Sequence, residues 1–284
     1  MNPDVFAPFP IPSELSPYFR RALVAYCDED VDYDVVVRGT GYSYLGWTPS
    51  GRWRGTVNGE FGYDSDIDGR LHLSGQVYDA HIEGRFSGLL REIFCEFTAL
   101  GQYEFLGIEG SATFEIAIDP SSELSWMADV KAHLTSLGMP KNREELANAV
   151  FSALGSIAPA QKAPDYLHEL VARLEDVTNI QTFSELTKDL DVSERKARDD
   201  FSRIVGISPK RFSKLLQINA AFGALMSLGD GRLADLAAEC GFSDQAHMTR
   251  GFVEFLGSSP VRFANDIEPT LKQFVGYSRQ TAKN

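Results

Sequence analysis

The sequence predicts an α+β protein with a β-rich N-terminal domain, a helical connector and an all-α C-terminal domain. Three observations support this fold class. Short runs of β-branched and aromatic residues, separated by Gly, Asp and Asn, fill residues 31–118. Apolar residues at helical spacing follow over residues 122–176. Near the C-terminus, a segment of helical pattern occurs twice at a constant offset of 51 residues.

Residues 1–121 are predicted to form a β-sandwich or small barrel. The strand-like pieces are YDVVVRG, RWRGTVNGEFGY, RLHLSGQVY, AHIEGRF, LREIFCEF and ATFEIAI. Three aromatic residues near the first hairpins are candidates for binding a small-molecule effector, although rings of this kind more often form core: Tyr44, Trp47 and Trp53. His72, His81 and Glu83 make an incomplete set of metal ligands, so no metal is expected.

Residues 122–180 are predicted to be a helical connector. Its helical segments are WMADVKAHLTSLG, NREELANAVFSALGSI and DYLHELVARLED. The second and third each carry an apolar stripe at helical spacing. Such stripes pack either on the β-rich domain or on a second subunit, and the pattern alone favours neither.

The repeated segment reads FSRIVGISPKRF at 201–212 and FVEFLGSSPVRF at 252–263. Apolar residues upstream of each copy follow the spacing of one helical face. Ser193 in the first copy and Ser243-Asp244 in the second stand where a helix start needs a side-chain acceptor. Gly206 and Gly257 are typical helix ends.

A shorter helix precedes each of these helices, at 182–190 and 232–240. Thr182 and Glu185 have the spacing of a capping box. Asp191 and Gly241 stand at the turns between the paired helices, and both residue types tolerate a left-handed backbone. The sequence therefore predicts two helix-turn-helix motifs. Their second helices, at about 193–205 and 244–256, are able to enter successive major-groove segments of DNA.

Residues 181–266 resemble the DNA-binding domain of the AraC-type transcriptional regulators. The residues in register with that family's second motif are Ala237, Gly241, Phe242, Arg250, Phe252, Gly257, Pro260 and Phe263. The stretches LHLSGQ and FSGLLREIFCEFTALGQYEFLG are similar to a poorly characterised β-rich domain that precedes some of these DNA-binding domains. The resemblance implies that the N-terminal domain senses a ligand, dimerises, or both. Residues 267–284 would form a tail.

Both the helical faces and the resemblance point to the residues that would contact base edges. These candidates are Arg195, Lys196, Arg198, Asp199, Gln245, Ala246, His247 and Arg250. Candidates for phosphate contacts are Ser193, Lys210, Arg211, Lys214, Ser243 and Arg262. An acid near phosphate is repulsive unless it pairs with a basic residue or accepts from a cytosine amino group. Asp199 and Asp200 therefore predict that the first motif either binds weakly or discriminates between sequences.

Charge limits the DNA-binding surface to a small region. The chain carries a net charge of −13. Residues 1–164 hold 12 basic and 23 acidic residues, whereas residues 193–217 hold 7 basic and 3 acidic ones. The acidic N-terminal part argues against indiscriminate binding of nucleic acids.

Further features exclude several classes of protein. Three widely spaced cysteines fit reduced thiols, and neither a secretory signal nor a membrane span is evident, so a cytoplasmic protein is expected. No phosphate-binding loop or nucleophile motif is present, so neither an enzyme nor a cofactor is expected.

The sequence thus predicts a transcriptional regulator, of the activator type, that binds double-stranded DNA as a homodimer. RNA polymerase and a small-molecule effector are further candidate partners. The alternative is a β-barrel binding protein or enzyme in which the helical repeat serves as a scaffold or a protein-interaction module.

Overall fold

The computed structural model describes residues 6–37, 39–58, 60–66, 69–78, 82–178, 181–228 and 233–266. Its architecture is α+β, as the sequence predicts, with strands concentrated in the N-terminal part and helices in the rest. The strands are β1 (Phe6–Phe9), β2 (Phe19–Val37), β3 (Tyr44–Val57), β4 (Glu60–Asp66), β5 (Arg70–Ser74), β6 (Ile82–Phe97) and β7 (Ala117–Ile118). His81 and the predicted tail, residues 267–284, lie outside the described residues.

The strands form one antiparallel sheet. Its order is β1-β2-β6-β3-β5-β7, and β4 pairs with β3. The pairing register shifts between Tyr26 and Asp30 of β2 and between Trp47 and Ser50 of β3. Bulges of this kind bend and twist a strand. The long central strands β2, β3 and β6 therefore change direction partway along, within a single sheet.

Several strands of the structure have other boundaries than those predicted from the sequence. It missed β1 and the first half of β2, because Ala22 through Ala25 are all buried and leave no apolar/polar alternation to detect. The pieces AHIEGRF and LREIFCEF belong to one strand, β6. The piece ATFEIAI contributes only β7, since Glu115 takes a left-handed conformation with φ of 57° that interrupts an extended chain.

The helices are α1 (Gly101–Leu106), α2 (Ser125–Ser136), α3 (Arg143–Gly155), α4 (Asp165–Glu175), α5 (Phe183–Thr187), α6 (Glu194–Val205), α7 (Pro209–Leu228), α8 (Leu233–Glu239), α9 (Gln245–Leu256) and α10 (Pro260–Asp266). Of these, α2 and α3 share one buried core with the sheet, to which the helices contribute Met127 and Val150 and the strands Trp47 and Ile93. In contrast, α4 packs with the first repeat of the C-terminal part. The helices of the predicted connector therefore pack in two different places: α2 and α3 pack on the sheet, and α4 packs on the first repeat.

The caps of the repeated helices are those predicted. Thr182 and Glu185 form a capping box at α5, and Ser193 and Asp244 accept backbone hydrogen bonds at the starts of α6 and α9. The ends of α6 and α9 have left-handed glycines at 206 and 257, with φ of 97° and 75°. Gly241 is also left-handed, with φ of 76°.

The prediction for Asp191 is wrong. Its φ is not positive, unlike that of Gly241. The N–H of Val192 donates to the carbonyl of Leu190 at 2.7 Å, which closes a three-residue turn around Asp191. A turn of this type forms at negative φ, so the first inter-helix turn needs no left-handed residue.

The N-terminal part contacts the first repeat at the C-terminal end of α6. A Cβ atom added to Gly110 would lie 2.4 Å from the carbonyl of Val205, so only glycine allows this approach of the two backbones. Arg203 of α6 also forms an ion pair with Glu109. Near α4 and α7, the Tyr42 hydroxyl donates to Glu175 at 2.8 Å, and Asn219 donates to the carbonyl of Thr40 at 3.0 Å. The β-rich part is thus packed directly on the repeats.

Candidate nucleic-acid interface

The second long helix of the repeat, α9, presents free polar side chains near its N-terminus. Asp244 caps the helix by accepting from the N–H of His247 at 2.6 Å. Gln245, Ala246 and Arg250 are exposed, whereas Met248 and Phe252 are buried. Within the described ranges, the Arg250 guanidinium forms no hydrogen bond or ion pair. Its donors are therefore available to an incoming base edge.

His247 is held more closely than the other candidates on α9. Its Nδ1 lies 3.2 Å from the Ser243 hydroxyl, its Nε2 lies 3.5 Å from the Lys214 ammonium, and its ring meets Phe242 edge-on. Partial burial, followed by the nearby charges of Lys214 and Arg250, lowers the pKa of His247. At neutral pH this imidazole is uncharged and engaged with its own motif.

On α6, the basic side chains are neutralised by acids of the same helix. The ion pairs are Arg195 with Asp199 at 3.7 Å, Lys196 with Asp200 at 2.7 Å, and Arg198 with Glu194. Arg198 also lies over the Phe183 ring, 4.8 Å from its centroid. Arg195 is the most open of the three, with 92% of its side chain exposed.

Asp200 is a structural residue in this fold. Its carboxylate accepts hydrogen bonds from Lys196, Tyr166 and Arg203. Burial raises its pKa, but these hydrogen bonds outweigh that effect and hold the pKa at about 2. Asp200 therefore stays ionised and joins α6 to α4. Asp199, by contrast, is exposed beside Arg195.

The candidates for phosphate contacts differ in their exposure and in the groups around them. Ser193 caps α6, and the Ser243 hydroxyl lies near Asp244 and His247. Lys210 and Arg262 are exposed. The Lys214 ammonium lies 5.1 Å from the Phe242 ring centroid, and desolvation lowers its pKa.

A groove of about 960 Å³ lies between the two repeats and brings several of these residues together. The basic residues along it are Arg173, Arg198, Lys210, Arg211 and Lys214, with His247 beside them. Two acids, Asp176 and Glu254, also line it. Tyr78, from the β-rich part of the chain, forms another part of the wall. Arg173 and Tyr78 are not among the residues predicted from the sequence, because neither lies in the repeat and no local pattern marks them.

The three effector candidates do not share one site. The Tyr44 hydroxyl is bonded to Glu96, within a buried group that includes Thr40 and Arg21. Trp47 is 4% exposed and lies in the core between the sheet and α2. Trp53 packs against a separate cluster around Phe86.

A second cavity, of about 720 Å³, lies between the sheet, α4 and α7. Apolar side chains line much of it, including Leu100, Val171 and Leu216. Arg20 and Arg21 also line it, and both guanidinium groups bind the carboxylate of Glu96. Two acids, Glu175 and Glu239, line the cavity as well. In the sequence, the signal for this position is a pair of consecutive arginines at the start of an apolar strand.

The C-terminal repeat matches a known protein family. The family described as "Helix-turn-helix domain" matches residues 186–266, which span α6 to α10 and the last two residues of α5. The C-terminal region is an AraC-type helix-turn-helix domain. Domains of this family occur in transcriptional regulators, where they bind DNA. No curated protein matches the chain in sequence.

Solved structures resemble parts or most of the chain at low identity. ToxT from Vibrio cholerae is 11% identical, with 84% of this chain and 98% of that chain covered and a TM-score of 0.43. A probable AraC family transcriptional regulator from Rhodopseudomonas palustris is 23% identical, with 36% of this chain and 96% of that chain covered and a TM-score of 0.32. An AraC-type DNA-binding domain protein from Chromobacterium violaceum is 19% identical, covers 36% of this chain with 95% of its own, and has a TM-score of 0.32.

Two further properties concern the described residues alone. Within them, no helix has the length and apolar character needed to cross a membrane. The same residues contain no group of three or more His, Cys, Asp and Glu side chains placed to hold a metal ion. The Nε2 atom of His72, one of the residues considered as a metal ligand, lies 3.5 Å from Oε1 of Glu92.

Proposed function

We propose that this protein is a sequence-specific transcriptional regulator that reads adjacent major-groove segments with α6 and α9. The observation that carries the proposal is the pair of capped helices in equivalent repeats, of which α9 presents Gln245 and Arg250 to solvent. Glutamine and arginine are suited to bidentate contacts with adenine and guanine edges. Because the basic residues of α6 are paired within the helix, α9 carries the greater share of base reading.

Phosphate contacts come from the groove between the repeats. Its basic side chains outnumber its acidic ones, and the exposed Lys210 lies at the start of α7. These residues set the position of the protein on the duplex without reading sequence. Dimerisation, activation and contact with RNA polymerase stay predictions from the sequence.

The proposal is tested by binding of the full chain to DNA from upstream of its own coding region and to a random duplex. Fluorescence anisotropy across a salt series gives both affinities and the salt slope. A specificity ratio of ~10³ or more supports sequence reading. For Lys210→Ala we expect equal weakening on both duplexes and a salt slope reduced by about 0.9, the effect of one lost phosphate contact. Equal, weak binding of the parent to both duplexes would contradict the proposal.

We propose that the cavity of about 720 Å³ holds a small-molecule effector with an apolar body and a negative charge. The apolar walls suit the body of such a ligand, and the partly exposed guanidinium of Arg20 suits its charge. Arg20 is the accessible member of the pair, with 26% of its side chain exposed against 2% for Arg21. Because α4 and α7 form the opposite wall, a ligand here would contact the β-rich part and the DNA-binding domain together.

Matched ligands of opposite charge test this cavity. We expect octanoate to raise the unfolding temperature of the full chain and octylamine to leave it unchanged. Above the Kd, each tenfold increase in ligand concentration adds about 1.4 kcal/mol to the free energy of unfolding. Arg20→Met should abolish the octanoate effect, whereas Arg173→Met, which changes an arginine of the other groove, should retain it. Stabilisation by octylamine, or an unchanged octanoate effect in Arg20→Met, would exclude this site.

A further inference from the structure

Asp199 of α6 and Arg250 of α9 occupy equivalent positions in the two repeats. The constant offset of 51 residues aligns Asp199 with Arg250, and it also aligns Ser193 with Asp244. Ser193 and Asp244 are the N-caps of α6 and α9, so the alignment by sequence agrees with the structure. Both Asp199 and Arg250 are exposed. At the position where α9 offers a guanidinium, α6 therefore offers a carboxylate.

The carboxylate of Asp199 is the least engaged of the three on α6. Glu194 forms an ion pair with Arg198, and Asp200 accepts three hydrogen bonds that join α6 to its surroundings. The side chain of Asp199 is 69% exposed, and its nearest basic atom, on Arg195, is 3.7 Å away, which is too far for a hydrogen bond. Within the described ranges its oxygens accept no hydrogen bond. Both oxygens can therefore accept one from DNA.

The chemistry of a carboxylate restricts what it can bind in the major groove. An ionised carboxylate accepts hydrogen bonds and donates none. Phosphate oxygens, the N7 and O6 atoms of guanine and the O4 atom of thymine are acceptors and repel it. Adenine offers an amino group beside the acceptor N7, whereas cytosine offers its N4 amino group with no acceptor beside it in the groove. A carboxylate on a recognition helix therefore favours cytosine.

We infer that Asp199 is a specificity-determining residue, which accepts a hydrogen bond from the N4 amino group of a cytosine in the major-groove segment that faces α6. The inference rests on the proposed function and deepens it, because it states which base α6 selects. Repulsion between this carboxylate and the phosphates weakens binding to DNA in general, and the cytosine contact offsets the repulsion on the correct sequence. The two repeats thus use opposite charges at equivalent positions, Asp199 for cytosine and Arg250 for guanine.

The main experiment compares the sequences that the parent and Asp199→Asn select from a random pool of duplexes, with the full chain in each case. Asparagine keeps the size of the side chain, but its amide donates as well as accepts, which suits adenine. We expect one position at which the parent selects cytosine and Asp199→Asn selects adenine. By anisotropy, the parent should bind its selected duplex at least about 5-fold more tightly than the same duplex with thymine at that position. Asp199→Ala should bind the two duplexes equally.

A modified base separates this contact from one in which Arg195 reads the guanine of the same base pair. N4-methylcytosine leaves that guanine unchanged and places a methyl group where the amino group faces the major groove. We expect it to weaken binding by the parent about 5-fold or more and to leave binding by Asp199→Ala unchanged. Arg195→Ala should still prefer cytosine over thymine at this position.

Glu194→Gln is the matched control for the loss of a negative charge. Glu194 lies on the same helix but is already paired with Arg198. Both Asp199→Ala and Glu194→Gln should bind a random duplex more tightly than the parent does, because each removes repulsion from the phosphates. Of the two, only Asp199→Ala should lose the preference for cytosine. Thermal unfolding checks that each variant folds, and a folding defect alone would not tighten binding to random DNA.

Several results would overturn the inference. One is selection of the same bases by the parent and Asp199→Asn, and another is a preference for cytosine that persists in Asp199→Ala. Loss of the preference in Glu194→Gln as well would assign it to the overall charge of α6. A parent that selects no duplex over random DNA would overturn the proposed function itself, and with it this inference. A parent that selects a duplex on which the Asp199 variants behave alike leaves the proposed function standing.

Discussion

Replacing Arg250 with alanine is expected to weaken binding to the specific DNA by ~1 to 3 kcal/mol, or about 5- to 150-fold. The physical reason is the free state of this side chain. Arg250 is exposed on α9, and no described residue binds its guanidinium. Its contact with a base edge would thus be made without breaking an ion pair. Anisotropy with the specific duplex and with single-base variants of it measures the loss and the base position that Arg250 reads.

Two control variants make the Arg250 result specific. Arg250→Lys keeps the charge but cannot form the planar, bidentate contact. It should retain binding to random DNA while losing discrimination. Arg195→Ala should cost less than Arg250→Ala, because Arg195 already pairs with Asp199 on α6. Parent-like discrimination by Arg250→Lys, or a larger loss for Arg195→Ala, would move the main reading function away from α9.

Replacing Glu96 with glutamine is expected to lower the free energy of unfolding by about 3 to 5 kcal/mol. Glu96 is fully buried on β6, where Arg20 and Arg21 donate to its carboxylate at 2.8 and 2.5 Å. Thr40 donates to it at 3.1 Å, and the Tyr44 hydroxyl also binds it. The neutral amide would remove the negative charge that the buried Arg21 binds. Urea unfolding of the parent and of Glu96→Gln measures the difference.

The Glu96 carboxylate also makes the free energy of unfolding depend on pH, and the sign of this dependence follows from its pKa. Burial raises the pKa of Glu96, but Arg21 and Arg20 outweigh burial and lower it to about 2. A carboxyl group with a lowered pKa stabilises the fold fully above its unfolded value near 4.5, and that contribution is lost as pH falls toward 2. The difference between the parent and Glu96→Gln should therefore shrink below pH ~4.5. Asp165→Asn, at an exposed ion pair with Lys162, should leave the urea midpoint unchanged. A constant difference at all pH values would contradict the ionised state assigned to Glu96.

The sequence predicted the helix-turn-helix motifs well because their signals are local. Caps, apolar stripes and terminal glycines act over three or four residues, and the repeat shows them twice. Thr182, Ser193, Gly206 and Gly257 take the roles that the pattern predicts. The strands were harder to locate. The first half of β2 is covered on both faces, so its sequence carries no alternation, and Glu115 ends the last predicted strand by a local backbone conformation.

The candidate site was predictable only as a set of residues, since the state of each side chain depends on its neighbours. In the sequence, Lys196 and Arg250 are alike as basic residues on the exposed side of a predicted recognition helix. The structure pairs Lys196 with Asp200 and leaves Arg250 exposed. His247 and Lys214 come from different helices and lie close enough for the charge of Lys214 to lower the pKa of His247. The sequence could not show these differences, because they depend on how α6, α7 and α9 pack.

By itself, the sequence determined the fold class, the two capped helical repeats and the resemblance to AraC-type regulators. Each of these depends on the order of residues along a short stretch of chain. Tertiary structure decided which charges are paired and which are free. Arg21 meets Glu96 across 75 residues of chain, Arg211 meets Tyr78 from another part of the protein, and burial raises the pKa of Glu92 to about 8. Such contacts arise only when distant segments pack together, because packing alone sets the distances and the exclusion of water on which charge interactions depend.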